Sequence, residues 1–250
     1  MPKFHKNLYV NIGEVCIMHN KHYDKVIAID GPSGSGKSTI AKELAKFLKV
    51  LYIDTGSMFR ALAYVCDQRG VNLNDEVQLN DFLKNIHFEY GVSDQVLIRI
   101  DGIDLTDKIR EHHVSHLASV ISQIPSIRNY LLDFQRKLAE DKICVMEGRD
   151  IGTVVFPDAF SKFFITASAE IRAQRRLNQL KEKGDQEITL EQIISDVKKR
   201  DETDMNRSVA PLKKAEDAQL IDSTELSLDK VIAILSNEVR FRAGHLGFQI

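Results

Sequence analysis

The chain predicts an α/β fold, with a parallel sheet of about five strands and helices on both faces. Three observations carry this reading. Short, nearly continuous apolar runs recur along the 250 residues, as strands covered on both faces require. Longer stretches with helical periodicity separate them. The two kinds of segment alternate, which implies right-handed crossovers and leaves the loops at the carboxyl ends of the strands for ligands.

The first run is Val26-Ile27-Ala28-Ile29-Asp30, and a helical stretch from Lys37 to Lys49 follows it. Leu51-Tyr52-Ile53-Asp54 is the second run. The rhythm then breaks. His87-Phe88-Glu89-Tyr90 and Val96-Leu97-Ile98-Arg99-Ile100 flank Gly91 and Ser93-Asp94, which reads as a hairpin. The turn Asp101-Gly102 and a short Ile103-Asp104-Leu105 follow, so a small antiparallel insertion is expected over 81–119. A helix is read at about 111–123 and another from Arg128 to Asp141. Ile143-Cys144-Val145-Met146 and Phe163-Phe164-Ile165-Thr166 are the third and fourth runs. Glu170 to Lys183 is helical. Lys181 to Glu187 is polar around Gly184 and reads as a mobile hairpin between two helices. Thr189 and Gln192 form a capping-box pattern for a helix expected to end near Arg200. Leu220-Ile221-Asp222 is the last run, and Leu226 to Val239 is an amphipathic C-terminal helix.

Composition narrows the class. With 43% hydrophobic and 28% charged residues the chain is ordinary for a globular protein. A formal net charge of −2 excludes a bulk nucleic-acid coat, which would be strongly basic. Cys16, Cys66 and Cys144 are odd in number and form no C-x-x-C, so neither a disulfide framework nor a zinc cluster is supported. A reducing cytoplasm fits. No apolar run approaches the roughly 18–20 residues of a membrane span, and the first residues lack a secretory apolar core.

The strongest chemical signal is Gly31-Pro32-Ser33-Gly34-Ser35-Gly36-Lys37-Ser38, a G-x-x-x-x-G-K-[ST] phosphate-binding loop between a strand and a helix. Its glycines let backbone N–H groups ring a phosphate, and the following helix adds its positive end. Lys37 suits the β- and γ-phosphates of a nucleoside triphosphate, and the Ser38 hydroxyl suits magnesium. GTPase signatures are missing: no N-K-x-D occurs, and no D-x-x-G follows a strand. Glu147 ends the third run, but Glu147-Gly148-Arg149-Asp150 is not a typical ATPase arrangement. Arginines gather near strand ends and helix junctions. Guanidinium groups suit phosphate recognition and the anionic transition state of phosphoryl transfer. Arg175-Arg176, beside the Gly184 hairpin, read as part of a closing lid.

Four segments carry a resemblance to bacterial cytidylate kinases: IDGPSGSGKST (29–39), DTGSMFR (54–60), EGRDIGTVVFPDA (147–159) and KKRDETDMNRSVAPLKKAEDA (198–218). It runs from about Lys25 past the last strand. The resemblance implies a three-layer P-loop kinase fold with an antiparallel substrate-binding insertion and a helical lid. The implied organisation is a core over 25–80 and 120–250, the insertion at 81–119 and the lid at 172–188. It implies Mg2+ with ATP as donor, and CMP or dCMP as acceptor. Gly31, Pro32, Ser33, Gly34, Ser35, Gly36, Lys37, Ser38 and Thr39 would hold ATP, with the lid arginines Arg172 and Arg175. Arg60, Arg149 and Arg207 would hold the acceptor phosphate. Thr55 would lie near the cytosine, while Ser119, Arg128 and Asp150 would read it. Arg200 and Asp204 would contact the ribose side. Lys37, Arg149 and Arg176 are the expected catalytic groups, and Ser38 the metal ligand.

Cytosine offers an amine donor and acceptors at N3 and O2, so Asp150 can accept from it and Arg128 can donate to it. Uracil reverses two of these atoms, and hydrogen-bonding sites reject such analogues strongly. Other readings stay open: a P-loop kinase acting on UMP or a hydroxylated metabolite, or an ATP-binding switch without an acceptor site. No nucleic-acid or membrane partner is expected, and a cytoplasmic monomer is. Residues 1–24 lie outside the resemblance and are expected to be a poorly ordered extension, with Met18 as a possible natural start.

Overall fold

Within the computed structural model, residues 25–182 and 188–250 are described. The extension at 1–24 lies outside the described residues, as do positions 183–187 of the hairpin expected at 181–187, whose Lys181 and Glu182 are helical. β1 (Val26–Asp30) is buried at every position, as its unbroken apolar run demands. α1 (Lys37–Leu48) follows, and buries one face through Ile40, Ala41, Leu44, Ala45 and Leu48. Lys49, at φ 58, turns the chain into β2 (Leu51–Asp54). α2 (Thr55–Gln68) begins at the very next residue. α3 (Glu76–Asn85) is capped by Asp75, whose side chain accepts from the Gln78 N–H.

The antiparallel segment is present. β3 (Phe88–Tyr90), β4 (Ile98–Ile100) and β5 (Ile103–Asp104) form a three-stranded sheet in that order. A short 3₁₀ turn at Lys108–Arg110 leads to α4 (His112–Ile121) and α5 (Pro125–Ala139), which has proline in its first turn. The chain returns through β6 (Cys144–Gly148), a π-turn at Ile151–Val155 and β7 (Ser161–Thr166). α6 (Ala169–Glu182), α7 (Leu190–Asn206), β8 (Gln219–Asp222) and α8 (Leu228–His245) complete it.

Two compact units emerge. The described part of one is 25–54, 141–182 and 188–250; that of the other is 55–140. The second is wider than the insertion expected at 81–119, and the reason is packing. α2 packs on α4 and β4, and α3 packs on α5. Phe88 and Phe134 meet edge-on at 4.9 Å, tying α5 to β3.

The first unit holds the parallel sheet, in the order β2-β6-β1-β7-β8. Ile27, Ile29, Val145, Phe163 and Ile165 share a core with α1 and with Val231, Leu235 and Val239 of α8. α6 and α7 pack through a smaller cluster of Ala173, Leu177, Leu180, Ile193 and Val197. The capping box forms as expected, with Thr189 and Gln192 satisfying each other's backbone. α7 does not end near Arg200. It continues to Asn206, and the Leu212 N–H closes its last turn on the Asp204 carbonyl at 2.8 Å.

Candidate active site

All five strands are parallel, so the loops after β1, β6, β7 and β8 emerge at one end of the sheet. The phosphate loop occupies 31–36, between β1 and α1. Gly34 (φ 76) and Gly36 (φ 85) hold left-handed backbone that other residues resist. A Cβ on Gly34 would come within 3.0 Å of the Arg172 carbonyl oxygen, so only glycine lets the loop pass α6 this closely.

Lys37 opens α1 and is buried, its Nζ directed at the Pro32 carbonyl at 3.4 Å. Burial, then the charge of Arg149, lowers its pKa to about 7, although Glu147 opposes this. Ser38 is exposed and donates to Glu147 Oε2 at 2.9 Å; the Tyr52 hydroxyl donates to Oε1 at 2.7 Å. Burial, then the charge of Asp54, raises the pKa of Glu147. The Ser38 proton is thus committed to Glu147, and its lone pairs are left for another partner. A hydroxyl oxygen bonded to Glu147, whose carboxyl also feels the charge of Asp54, fits a hard divalent cation.

The loop after β6 carries Arg149 and Asp150. Arg149 donates through Nε to Asp204 Oδ2 at 2.9 Å, and Asp150 lies 3.4 Å from the Arg207 guanidinium. Asp150, Asp204 and Arg207 are all buried. Burial pushes the Asp204 carboxyl up, but the charge and hydrogen bond of Arg149, with Arg200 and Arg207, outweigh it and hold it below the usual range. Because α7 runs on to Asn206, Arg200 and Asp204 sit one turn apart on one helix face.

Arg172 and Arg175, expected in a lid, bind backbone. Arg172 donates to the Ser33 carbonyl at 3.0 Å and pairs with Asp201 at 2.6 Å. Arg175 donates to the Ser35 carbonyl at 3.2 Å and the Ser223 carbonyl at 2.8 Å. They brace the phosphate loop from α6. Arg176 is half-buried on the same helix.

In the 55–140 unit, Thr55 is buried at the start of α2 and Arg60 is half-buried further along it. Arg128 is buried on α5, donates to the Ser122 carbonyl at 3.1 Å and lies 5.5 Å from the Phe59 ring centroid. Ser119 is half-buried on α4, its carbonyl accepting from the Ser122 hydroxyl at 2.9 Å. This unit therefore gathers Arg128 and the Ser119–Ser122 turn, and the other gathers the phosphate loop, Arg149, Asp150, Arg172, Arg175, Arg200, Asp204 and Arg207.

Sequence reasoning set Glu147 aside and passed over Tyr52, Asp30 and Asp201. An acidic residue ending the strand beside the phosphate-loop strand was the available signal for Glu147.

A phosphate loop on a central parallel strand, with arginines from the β6 loop, α6 and α7 around it, defines a P-loop phosphotransferase. Comparison narrows the class. The family model described as cytidylate kinase matches residues 27–240. A cytidylate kinase from Desulforamulus reducens is 44% identical over 208 residues, covering 83% of this chain and 93% of that protein. One from Caldicellulosiruptor saccharolyticus is 46% identical, covering 82% and 91%. One from Pseudomonas fluorescens is 44% identical, covering 87% and 96%. The chain belongs to the cytidylate kinase family and is a nucleoside monophosphate kinase. Among the described residues, no helix is long and apolar enough to cross a membrane.

Proposed function

We propose that the protein transfers the γ-phosphoryl group of ATP directly to the phosphate of CMP, and of dCMP. The observation that carries this reading is the pairing of Arg149 with Asp204 and of Asp150 with Arg207, beside the phosphate loop. A simple ATPase or switch needs no such second set of phosphate- and base-reading groups.

The acceptor phosphate has a second pKa of about 6 and is largely dianionic at neutral pH. It needs no strong general base, and catalysis rests on positioning and electrostatics. Lys37 and the loop amides hold the donor phosphates. Near pH 7 Lys37 loses its proton readily when alone, and triphosphate charge beside it favours the ammonium form. Arg149, Arg207 and Arg60 neutralise the acceptor phosphate, and Arg176 adds charge from the lid. Asp150 accepts from the cytosine amine, and Arg128 and Ser119 serve its acceptor atoms. Thr55 lies near the base, and Arg200 and Asp204 serve the ribose side. Magnesium, held at Ser38, would neutralise charge on the donor phosphate oxygens.

The test is an ADP-release assay with each nucleoside monophosphate. CMP and dCMP are expected to turn over fastest. Faster turnover of AMP or UMP, or of a hydroxylated acceptor such as shikimate, overturns the reading.

A further inference from the structure

The loop that carries Arg149 and Asp150 is gripped by two buried ionisable groups that bond its backbone. Asp30 is the last residue of β1 and is 4% exposed. Its two carboxylate oxygens accept separately from the loop: Oδ1 from the Ile151 N–H at 2.8 Å, and Oδ2 from the Gly152 N–H at 2.7 Å. Lys162, on β7, is 5% exposed. Its ammonium donates to the Pro157 carbonyl at the other end of the loop, and pairs with Asp217 at 2.8 Å. Gly152 lets the lysine stem pass, because a Cβ there would meet Lys162 Cδ at 3.2 Å and Asp30 Oδ2 at 3.5 Å.

The grip is specific in sign. A carboxylate takes amide donors, and an ammonium takes a carbonyl. Between them lies the π-turn, with the Phe156 N–H bonded to the Ile151 carbonyl at 2.7 Å. Ile151, Val155 and Phe156 are buried, so this end of the loop cannot shift without breaking the clamp. Such buried, fully paired ionic groups fix backbone geometry rather than add simple stability. Burying them is costly.

We propose that Asp30 and Lys162 are positioning residues for the acceptor. They set the backbone from which Arg149 and Asp150 project. This rests on the acceptor reading above. It joins the phosphate-loop strand to the acceptor loop, so the two substrates are placed by one strand end.

The test uses the full chain with Asp30→Asn and Lys162→Met, made separately. Asparagine keeps one acceptor oxygen but turns an amine toward the second N–H, and methionine removes the ammonium. The Michaelis constant for CMP is expected to rise about ten-fold in each, with preference for CMP over UMP narrowed, while that for ATP moves less than about two-fold. A purely structural role would lower the melting temperature and leave both Michaelis constants unchanged, and that result overturns the proposal. If either variant fails to fold, Gly152→Ala perturbs the clamp without removing a charge and is read in the same way. Arg149→Ala is measured alongside. If it raises the constant for CMP while the clamp variants do not, the proposal fails and the acceptor reading stands. If Arg149→Ala has no effect on CMP, the acceptor reading falls and the proposal falls with it.

Discussion

Glu147→Gln isolates the role of the carboxylate behind the phosphate loop. Glu147 is 2% exposed and receives two hydroxyl protons on separate oxygens, from Ser38 at 2.9 Å and Tyr52 at 2.7 Å. Glutamine offers one acceptor oxygen and one amine. If the amine faces Ser38, the hydroxyl must accept, and its proton turns toward the cation position. If it faces Tyr52, that hydroxyl must reverse instead. Either way one charge-assisted hydrogen bond, worth about 1.5–3 kcal/mol, is lost. At about 1.4 kcal/mol per decade, the rate constant should fall about 10- to 100-fold. The magnesium concentration needed for half-maximal rate should rise with it. Stability should not fall, because burial already opposes the Glu147 charge. Tyr52→Phe removes one donor and leaves Ser38 in place, so its loss should be smaller, about three-fold. The assay is ADP release with a magnesium titration, beside a thermal melt. A Gln variant within about two-fold of the parent in rate and magnesium requirement would refute the role assigned to this carboxylate.

Three further outcomes are expected. Burial pushes the Asp30 carboxyl up to about 7 against the two amides that favour its charge. Between 3.8 and about 7 the folded state then holds a proton that the unfolded state has released, so this group's contribution declines as pH rises. Urea unfolding should show the parent's stability relative to Asp30→Asn shrinking between about pH 4 and about pH 7 and levelling off above, and a flat difference across that window would contradict this. Gly34→Ala combines left-handed backbone at φ 76 with a 3.0 Å approach to the Arg172 carbonyl. A strain of about 1–3 kcal/mol should weaken binding of a fluorescent ATP analogue by about ten-fold or more, with CMP binding unaffected. Arg207→Ala removes the buried partner of Asp150, and should cost about 3–5 kcal/mol in urea unfolding and raise the Michaelis constant for CMP.

Local patterns made much of the architecture readable. The five parallel strands were visible because each is an apolar run, and the hairpin because Gly91 and Ser93-Asp94 separate two such runs. α2 was not, because it starts directly after Asp54, with no turn residue between, and its first residues Thr55-Gly56-Ser57 are weak helix formers. Asp201-Glu202-Thr203-Asp204 resembles a helix end, yet α7 continues through it. At the site, the phosphate loop is a contiguous motif and therefore legible. The pairings are not: Glu147 and Ser38 are 109 residues apart, and Asp30 and Gly152 are 122 apart. No period or spacing encodes such a contact; it arises because parallel strands bring distant loops to one sheet end. Family resemblance supplied Arg149, Asp150 and Arg207 as site residues, but nothing in it pointed to Asp30 or Lys162.

β1 lies between β6 and β7, so both its edges are paired, while β2 and β8 form the rims of the parallel sheet. In hydrogen–deuterium exchange, such doubly paired amides open only with the whole unit, whereas rim strands open in smaller fluctuations. The last residue of β1 carries the acceptor-loop clamp, and the next begins the phosphate loop. β1, with β6 and β7, is therefore expected among the slowest-exchanging segments of the unit, and it anchors both loops. The rims can fray in solution while the nucleotide-gripping end keeps its shape, and partial denaturation should release that end last.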